Sequence, residues 1–335
     1  NDDDNMWGSR YNGKLARTMD GGSTWYYANE GITEAGGWVT PWQEDPVTAN
    51  TLYAGFKNVW ESFDGGDTWI KLNNLSADTN YTVNAIAVSP ANTEVIWASK
   101  AGILYKSSDA GQTWSAITNV PKGPITDIVC HNTDANKAWI TYSGFVSTYR
   151  VFQTSDQGAT WTNLSASLPN IPINCITIDK NKNDALYVGT DAGVFFRDAS
   201  MTVWQSFSDG LPNVVVTQLE IFYTGKKLRA STYGRGMWES DLFVTGINDF
   251  VTNGSLLIFP NPSSGTLELS FNVALPDNYS VKITNILGQT VYEELMKNFS
   301  GIYSKKINIS SQGKGVYLLI LSNSQNEITK KIIMQ

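Results

Sequence analysis

The chain has 335 residues, enough for one large domain or two medium ones, each with a sizeable core. Lys and Arg number 24 against 31 Asp and Glu, a formal net charge of −7, which argues against nucleic acid or an anionic membrane as main partner; no apolar run approaches a membrane span. Charged residues are only 16%, while 12 Trp, 15 Tyr, 13 Phe and 28 Gly point to an all-β, extracellular chain rather than a cytosolic α/β enzyme.

The chain opens on "NDDDN" (1–5), which reads as a solvated end rather than a calcium loop; no metal or cofactor is expected. No leader peptide stands at the start, so a secreted protein would be represented here in processed, truncated or partial form. From "MWGSRY" onward the sequence repeats. "TMDGGSTW" (18–25), "SFDGGDTW" (62–69), "SSDAGQTW" (107–114) and "TSDQGATW" (154–161) are four copies of one eight-residue box, and "RDASMTVW" (197–204) is an eroded fifth. Their tryptophans, Trp25, Trp69, Trp114, Trp161 and Trp204, are 44, 45, 47 and 43 residues apart. A period in the mid-forties with strand-like contents predicts a β-propeller of four-stranded blades.

Each period resolves into four strands. In the third, "VNAIAVSP" alternates, "VIWAS" is an apolar run, "GILYKSSD" leads into the box and "TWSAIT" leads out. The box therefore sits on the hairpin between third and fourth strands, and its chemistry suits a turn. The Asp accepts amide hydrogen bonds one to three residues on, the preceding Ser or Thr bonds the same carboxylate, the Gly supplies positive φ, and the Trp folds back as an apolar plug. Asp20, Gly22 and Trp25, Asp64, Gly66 and Trp69, Asp109, Gly111 and Trp114, and Asp156, Gly158 and Trp161 are thus read as corners, not catalytic groups. The S-x-D-x-G-x-T-W pattern resembles the Asp-box or BNR repeat, over about residues 1–245. "GWVTPWQEDPVTANTLYAGFKNVWESFDGGDTW" and "LRASTYGRGMWES" look more like its sortilin-type and glycosidase-type members than its sialidases. The first period starts at its second strand and the last lacks a fourth. That leaves roughly 5.5 blades and an expectation of further repeats upstream.

Cys130 and Cys175 lie on equivalent early strands, three positions apart in the repeat frame; a disulfide and two buried thiols both remain open. The only histidine, His131, stands at a strand end, where a surface or hydrogen-bonded role is expected. A sialidase needs three converging arginines, and the six present (Arg10, Arg17, Arg150, Arg197, Arg229 and Arg235) follow no such pattern. A glycosidase needs two flanking carboxylates, and no spacing singles out a pair among Asp45, Glu61, Asp127 and Glu220, although partners could lie upstream. Of the seven tryptophans outside the boxes, Trp7, Trp38, Trp42, Trp60, Trp97, Trp139 and Trp238, most are expected in the core, and Trp42 and Trp60 are the ones better placed for a rim. The insertion "YSGFVSTYR" is expected to present Tyr149 and Arg150, and "TYGRG" to aim Arg235 at the channel mouth. These five residues are the candidate surface for a glycan or surface-protein ligand.

Beyond residue 245 the texture changes. Residues 246–254 read as a linker, and 255–335 as a small immunoglobulin-like β-sandwich of seven short strands. "FPNPSSGTLEL", "ITNILGQTV", "INISSQGKGVYLLIL" and the final "KKIIM" resemble the C-terminal sorting domain of Bacteroidetes type IX secretion cargo. Pro260, Asn261, Pro262, Gly265, Gly288, Gly315, Tyr317, Lys330 and Lys331 carry the match. The resemblance implies signal-peptide-dependent export to the periplasm, recognition by outer-membrane components of the type IX system, and a final place outside the cell or on its surface. Three functions are compatible with these readings: a surface binding or adhesion module, a secreted glycosidase whose catalytic residues lie partly upstream, and a cargo partner of the secretion apparatus.

Overall fold

The computed structural model describes residues 4–78, 80–145, 148–182, 184–243, 256–323 and 327–335. The chain divides into two compact units, Asn1–Leu242 and Phe243–Gln335. Most of the "NDDDN" opening and the expected linker lie outside the described residues.

The first unit is six antiparallel meanders. The first sheet holds β1 (Met6–Arg10), β2 (Lys14–Thr18) and β3 (Tyr26–Tyr27). The second holds β4 (Trp42–Glu44), β5 (Leu52–Gly55), β6 (Val59–Ser62) and β7 (Ile70–Lys71). The third holds β8 (Val83–Val88), β9 (Ile96–Lys100), β10 (Ile103–Ser107) and β11 (Ser115–Ile117), and the fourth β12 (Ile125–Cys130), β13 (Ala138–Tyr142), β14 (Val151–Thr154) and β15 (Thr162–Asn163). The fifth holds β16 (Ile173–Asp179), β17 (Ala185–Thr190), β18 (Gly193–Arg197) and β19 (Gln205–Ser206); the sixth holds β20 (Val216–Phe222), β21 (Lys227–Thr232) and β22 (Gly236–Asp241). Among the described residues the first sheet has no innermost strand and the last no fourth, as the periods predict.

The apolar cores lie between sheets rather than within them. Leu15 packs with Leu52, Phe56 and Trp69; Tyr53 and Val59 with Val88 and Ile96; Trp97 and Leu104 with Ile128 and Ile140; and Trp139 with Ile176, Val188 and Trp204. A middle strand such as β9 or β13 is buried along its whole length because a sheet covers each face, so its sequence is mostly apolar, and its polar members Ser99, Lys100 and Thr141 are buried with it. The innermost strands are also stitched sideways. Asn84 Nδ2 donates to Ile125 O, Thr126 Oγ1 to Ile173 O at 2.8 Å, and Asn174 Nδ2 to Val216 O at 3.2 Å, so one position tethers each sheet to the next.

Cys130 and Cys175 are buried free thiols, pushed up by burial, to about 12 for Cys130; no disulfide forms. His131 Nε2 stands 3.4 Å from Asp184 Oδ1, and its Nδ1 accepts the Thr133 amide, which is a hydrogen-bonded strand-end role.

Among the described residues the second unit has five strands, not the seven expected: β23 (Leu257–Phe259), β24 (Thr266–Asn285), β25 (Thr290–Asn308), β26 (Gly315–Ser322) and β27 (Glu327–Met334). "TLELSFN" and "YSVKITN" run on as one strand, as do "TVYEEL" and "YSKKIN", because β24 and β25 stay paired through register shifts between Val273 and Tyr279. β23 pairs the first half of β24 and β26 the second, and β27 completes the sheet. Both halves share one core, in which Phe271 stacks on Tyr303 at 4.6 Å and Leu269, Ile283, Leu319 and Ile332 are fully buried. The Pro260–Asn261–Pro262 segment closes the open edge of β27. Asn261 donates to Lys331 O and accepts from Ile333 N, substituting a side-chain amide for a neighbouring strand where the flanking prolines offer no donor. Tyr317 Oη holds the preceding loop through Gln312 O and Gly313 O.

Candidate functional site

Each sheet has two ends. The box hairpin occupies one; the hairpin between second and third strands, and the link to the next sheet, occupy the other.

At the box end the same bonds recur. Thr18 Oγ1 donates to Asp20 Oδ1 at 2.8 Å, Thr24 N to the same oxygen at 2.8 Å, and Thr24 Oγ1 to Oδ2 at 2.6 Å. Asp64, Asp109 and Asp156 repeat the set. The amide bonded is that of the Thr four residues on, beyond the expected reach of one to three. The Ser or Thr hydroxyl then accepts the amide of the box Gly, which closes the loop from inside. The Thr24 hydroxyl and amide, with the Thr18 hydroxyl, hold the Asp20 carboxyl down at about 2, and the same bonds lower Asp109 and Asp156. At Asp64 slight burial opposes, and the bonds from Thr68 and Ser62 still win. At Gly111, where φ is +79°, a Cβ would lie 2.5 Å from Leu72 of the preceding sheet, so this glycine serves both the turn and the seam. The box Trp lies on that same preceding sheet: Trp69 Nε1 reaches Ala28 O at 2.9 Å and Trp204 Nε1 reaches Leu164 O at 2.7 Å. Trp114 and Trp161 are half-buried in the seams before their own sheets, and Trp25, with no sheet before it among the described residues, is 49% exposed. The Asp carboxylate and the Ser or Thr hydroxyls of all four boxes are thus bonded within their own turns.

The loop end is not repeated. Trp38 is 75% exposed and stacks on Tyr11 with centroids 5.7 Å apart and planes at 20°. Its loop is pinned from below. Gly13 (φ +80°) and Gly36 meet so closely that a Cβ on Gly36 would lie 2.4 Å from Gly13 Cα, and Asn12 N donates to Trp38 O. The next residue, Val39, lines a groove of about 740 Å³ with Tyr81, Thr82, Asn84, Lys122, Thr126 and Asn174. Tyr81 is 55% exposed, and no carboxylate lines the groove among the described residues. On β12, next to the groove-lining Thr126, Asp127 accepts the amides of Ile128 and Ile176 at 2.8 and 2.9 Å; burial nevertheless pushes its carboxyl up to about 6.

Two of the five candidate binding residues are misplaced by the sequence. Trp60 is buried, because it packs into the seam with the preceding sheet alongside Leu15 and Trp69, and its Nε1 is spent on Glu34 Oε2 at 3.1 Å. Arg150 is fully buried, its guanidinium bonded to Tyr149 O, Pro169 O and Asn170 Oδ1, so it clamps two loops instead of reaching solvent. Tyr149 and Arg235 are exposed at the loop end, and Trp42 is half-buried against the second sheet's core. The insertion carrying Tyr149 lies partly outside the described residues. Trp38 reverses its expected core position. The signal for it is the Gly-Gly before it and the Pro after it, a loop composition that does not suit a core strand. Of the scattered carboxylates, Asp45 and Glu61 converge on Tyr53, but all three are buried at the box end. Asp45 Oδ1 caps Val47 and Thr48, and burial raises the Glu61 carboxyl.

Residues 257–335 match the family model of the secretion system C-terminal sorting domain, and residues 50–209 that of the photosynthesis system II assembly factor YCF48. The chain is 27% identical over 189 residues to the vacuolar protein sorting/targeting protein 10 of Colletotrichum graminicola (54% of this chain, 11% of that protein). It is 26% identical over 193 residues to the xyloglucanase of Hypocrea jecorina (58% of this chain, 22% of that protein). It thus spans less than a quarter of the length of either relative. Among solved structures, the GH74 xyloglucanase from Xanthomonas campestris aligns with a TM-score of 0.56 at 15% identity, over 80% of this chain and 49% of that one. The extracellular domain of a one-component system from B. thetaiotaomicron gives 0.53 at 14% identity, over 100% of this chain and 56% of that one. At such identities the likeness is one of fold. The sorting domain supports export to the cell surface or the extracellular space. Taken part by part, the chain is a BNR-type β-propeller followed by a secretion-system C-terminal sorting domain.

Proposed function

We propose that this is a type IX secretion cargo whose propeller binds polysaccharide, outside the cell or on its surface, with the loop end of its sheets. The observation that carries the reading is Trp38: a large indole left 75% exposed, yet fixed by the Tyr11 stack and the Gly13–Gly36 contact. Holding an aromatic plane rigidly toward water costs hydrophobic free energy with no return to folding, and flat apolar surface suits the C–H face of a pyranose ring. The adjoining groove supplies amides, hydroxyls and Lys122, groups that hydrogen-bond sugar hydroxyls. Tyr149 and Arg235 belong to the same end and are its outlying contacts.

Hydrolysis by these residues is the less favoured reading. Glycosidases flank the scissile bond with two carboxylates, and the groove lining has none among the described residues. The test is retention of the whole chain on insoluble cellulose, xyloglucan-coated cellulose, xylan and chitin. Retention lost on Trp38→Ala supports the reading. No retention on any of them, or retention indifferent to Trp38, counts against it, and release of reducing ends by the chain alone would favour the glycosidase.

A further inference from the structure

Three of the motifs by which the sorting domain is recognised are far apart in sequence and meet at one place. Asn285, before the "ILGQ" turn, pairs with Tyr317 of "GVY", and Val316 pairs with Ile333 of "KKIIM". Strand alternation then decides which side chains point out. Tyr317, Leu319 and Leu321 on β26, and Ile328, Ile332 and Met334 on β27, are buried in the core; Val316, Leu318 and Ile320, and Lys331 and Ile333, therefore take the outer face. Val316 is 40% and Ile333 36% exposed, and beside them Ile286 and Leu287 stand 74% and 80% exposed at the turn. The register flanks this stripe with cations. Leu318 is opposite Lys331, and Ile320 is opposite Lys282, which in turn faces Glu293 of β25, so Lys331 is the cation left for a partner.

Folding does not account for these aliphatic side chains. The core beneath them is already closed, and the outer face of an antiparallel sheet is ordinarily polar. The turn is also rigid. Asn285 Oδ1 accepts the amides of Leu287 and Gln289 at 3.0 Å each, and Asn285 Nδ2 donates to Gln289 Oε1 at 2.7 Å, so Ile286 and Leu287 are presented without further ordering.

We propose that this outer stripe, from Ile286 and Leu287 across Val316 to Ile333, is the surface by which the export machinery reads the protein, and that the partner offers an apolar hollow rimmed by carboxylates. The proposal rests on the assignment of residues 257–335 as a sorting domain. A second copy of the chain is the poorer occupant, because a two-fold contact through this face would bring the Lys331 side chains of both copies together, and only Lys282 has a carboxylate, Glu293, opposite it.

The experiment is fractionation of the whole chain, fused behind a standard signal peptide, in a type IX-competent host. Ile286→Ser with Leu287→Ser should lower the secreted fraction about tenfold or more, with periplasmic accumulation and an unchanged melting temperature. Lys331→Glu should lower it less. Leu295→Ser with Ile302→Ser, which removes equally exposed aliphatic groups from β25, should change nothing. Should the double turn variant melt early, Lys331→Glu, a change at an exposed side chain, decides alone. Normal secretion of the turn and Lys331 variants, or equal loss with the β25 control, overturns the proposal. So does normal secretion accompanied by a change in oligomeric state, which would give the face to a second copy. Deletion of 257–335 separates the two levels: normal secretion without the domain overturns the sorting assignment as well, whereas abolished secretion with the variants unaffected overturns the proposal alone.

Discussion

The two ends of each propeller sheet are built under different rules. At the box end, four hairpins use the same Ser or Thr, Asp and Thr bonds within a tenth or so of an ångström, with the carboxylates fully occupied by their own turns. At the loop end, neighbouring hairpins share no such chemistry: one stacks Tyr11 under Trp38, another hides Trp60 against Glu34, a third buries Arg150 between two loops. Repetition marks the chemistry that closes four of the hairpins; in the proposed reading, variation marks where a ligand is met. Even within the repeated chemistry the neighbour sets the value of a residue. "VWES" at 59–62 is wholly buried, whereas "MWES" at 237–240 is exposed throughout, because no further sheet among the described residues lies over β22.

The comparison can be broken at several points. The largest effect is expected at Trp69→Ala, which empties a seam and should cost about 3–5 kcal/mol, while Trp25→Ala, the same box position without a preceding sheet, should cost about 1 kcal/mol or less. Chemical denaturation of both variants checks this; equal costs would show that the seams do not hold the sheets together. Next comes Asp127. Its carboxyl titrates at about 6 when folded, above the ordinary 3.9 or so of an unfolded Asp, so the folded state holds the proton more tightly. Its contribution to stability is therefore greatest below about pH 4 and falls as pH rises through about 6, by about 3 kcal/mol in all. Asp127→Asn should flatten the stability curve in that window, and an unchanged slope would contradict the assignment. Asp109 has the opposite sign. Its lowered pKa means that its stabilisation is present above about pH 4 and is lost as pH falls through the folded pKa. Asp109→Ala should lower the melting temperature at neutral pH, leave ligand retention intact, and differ least from the parent in strong acid. The smallest effect on stability is expected for Trp38→Ala, within about 0.5 kcal/mol, because the indole is already in water.

Much of this is legible in the sequence, and unevenly so. The period, the strand order within it and the place of the boxes come from short-range chemistry, which the chain states five times over. The sorting domain likewise carries its turns and its edge-closing Pro-Asn-Pro in local motifs. What escapes a reading of the sequence depends on contacts between distant residues. Nothing in "FKNVWES" announces that Glu34 will take the Trp60 indole, and nothing in "TYR" that Asn170 and Pro169 will enclose Arg150. The second unit divides into seven strands on paper because the shifts near Val273 and Asp277 read as turns, although pairing with β25 carries the strand through them. Trp38 is expected inward on the general tendency of tryptophan, against the glycines beside it.

The most direct measurement sets one residue from each end side by side: retention of the whole chain on the insoluble polysaccharides, for Trp38→Ala and Asp109→Ala, at a temperature where both are folded. Trp38→Ala should pass through unretained while Asp109→Ala is held as firmly as the parent. Loss of retention in Asp109→Ala, with Trp38→Ala still bound, would place the binding chemistry in the boxes and contradict the division between the two ends.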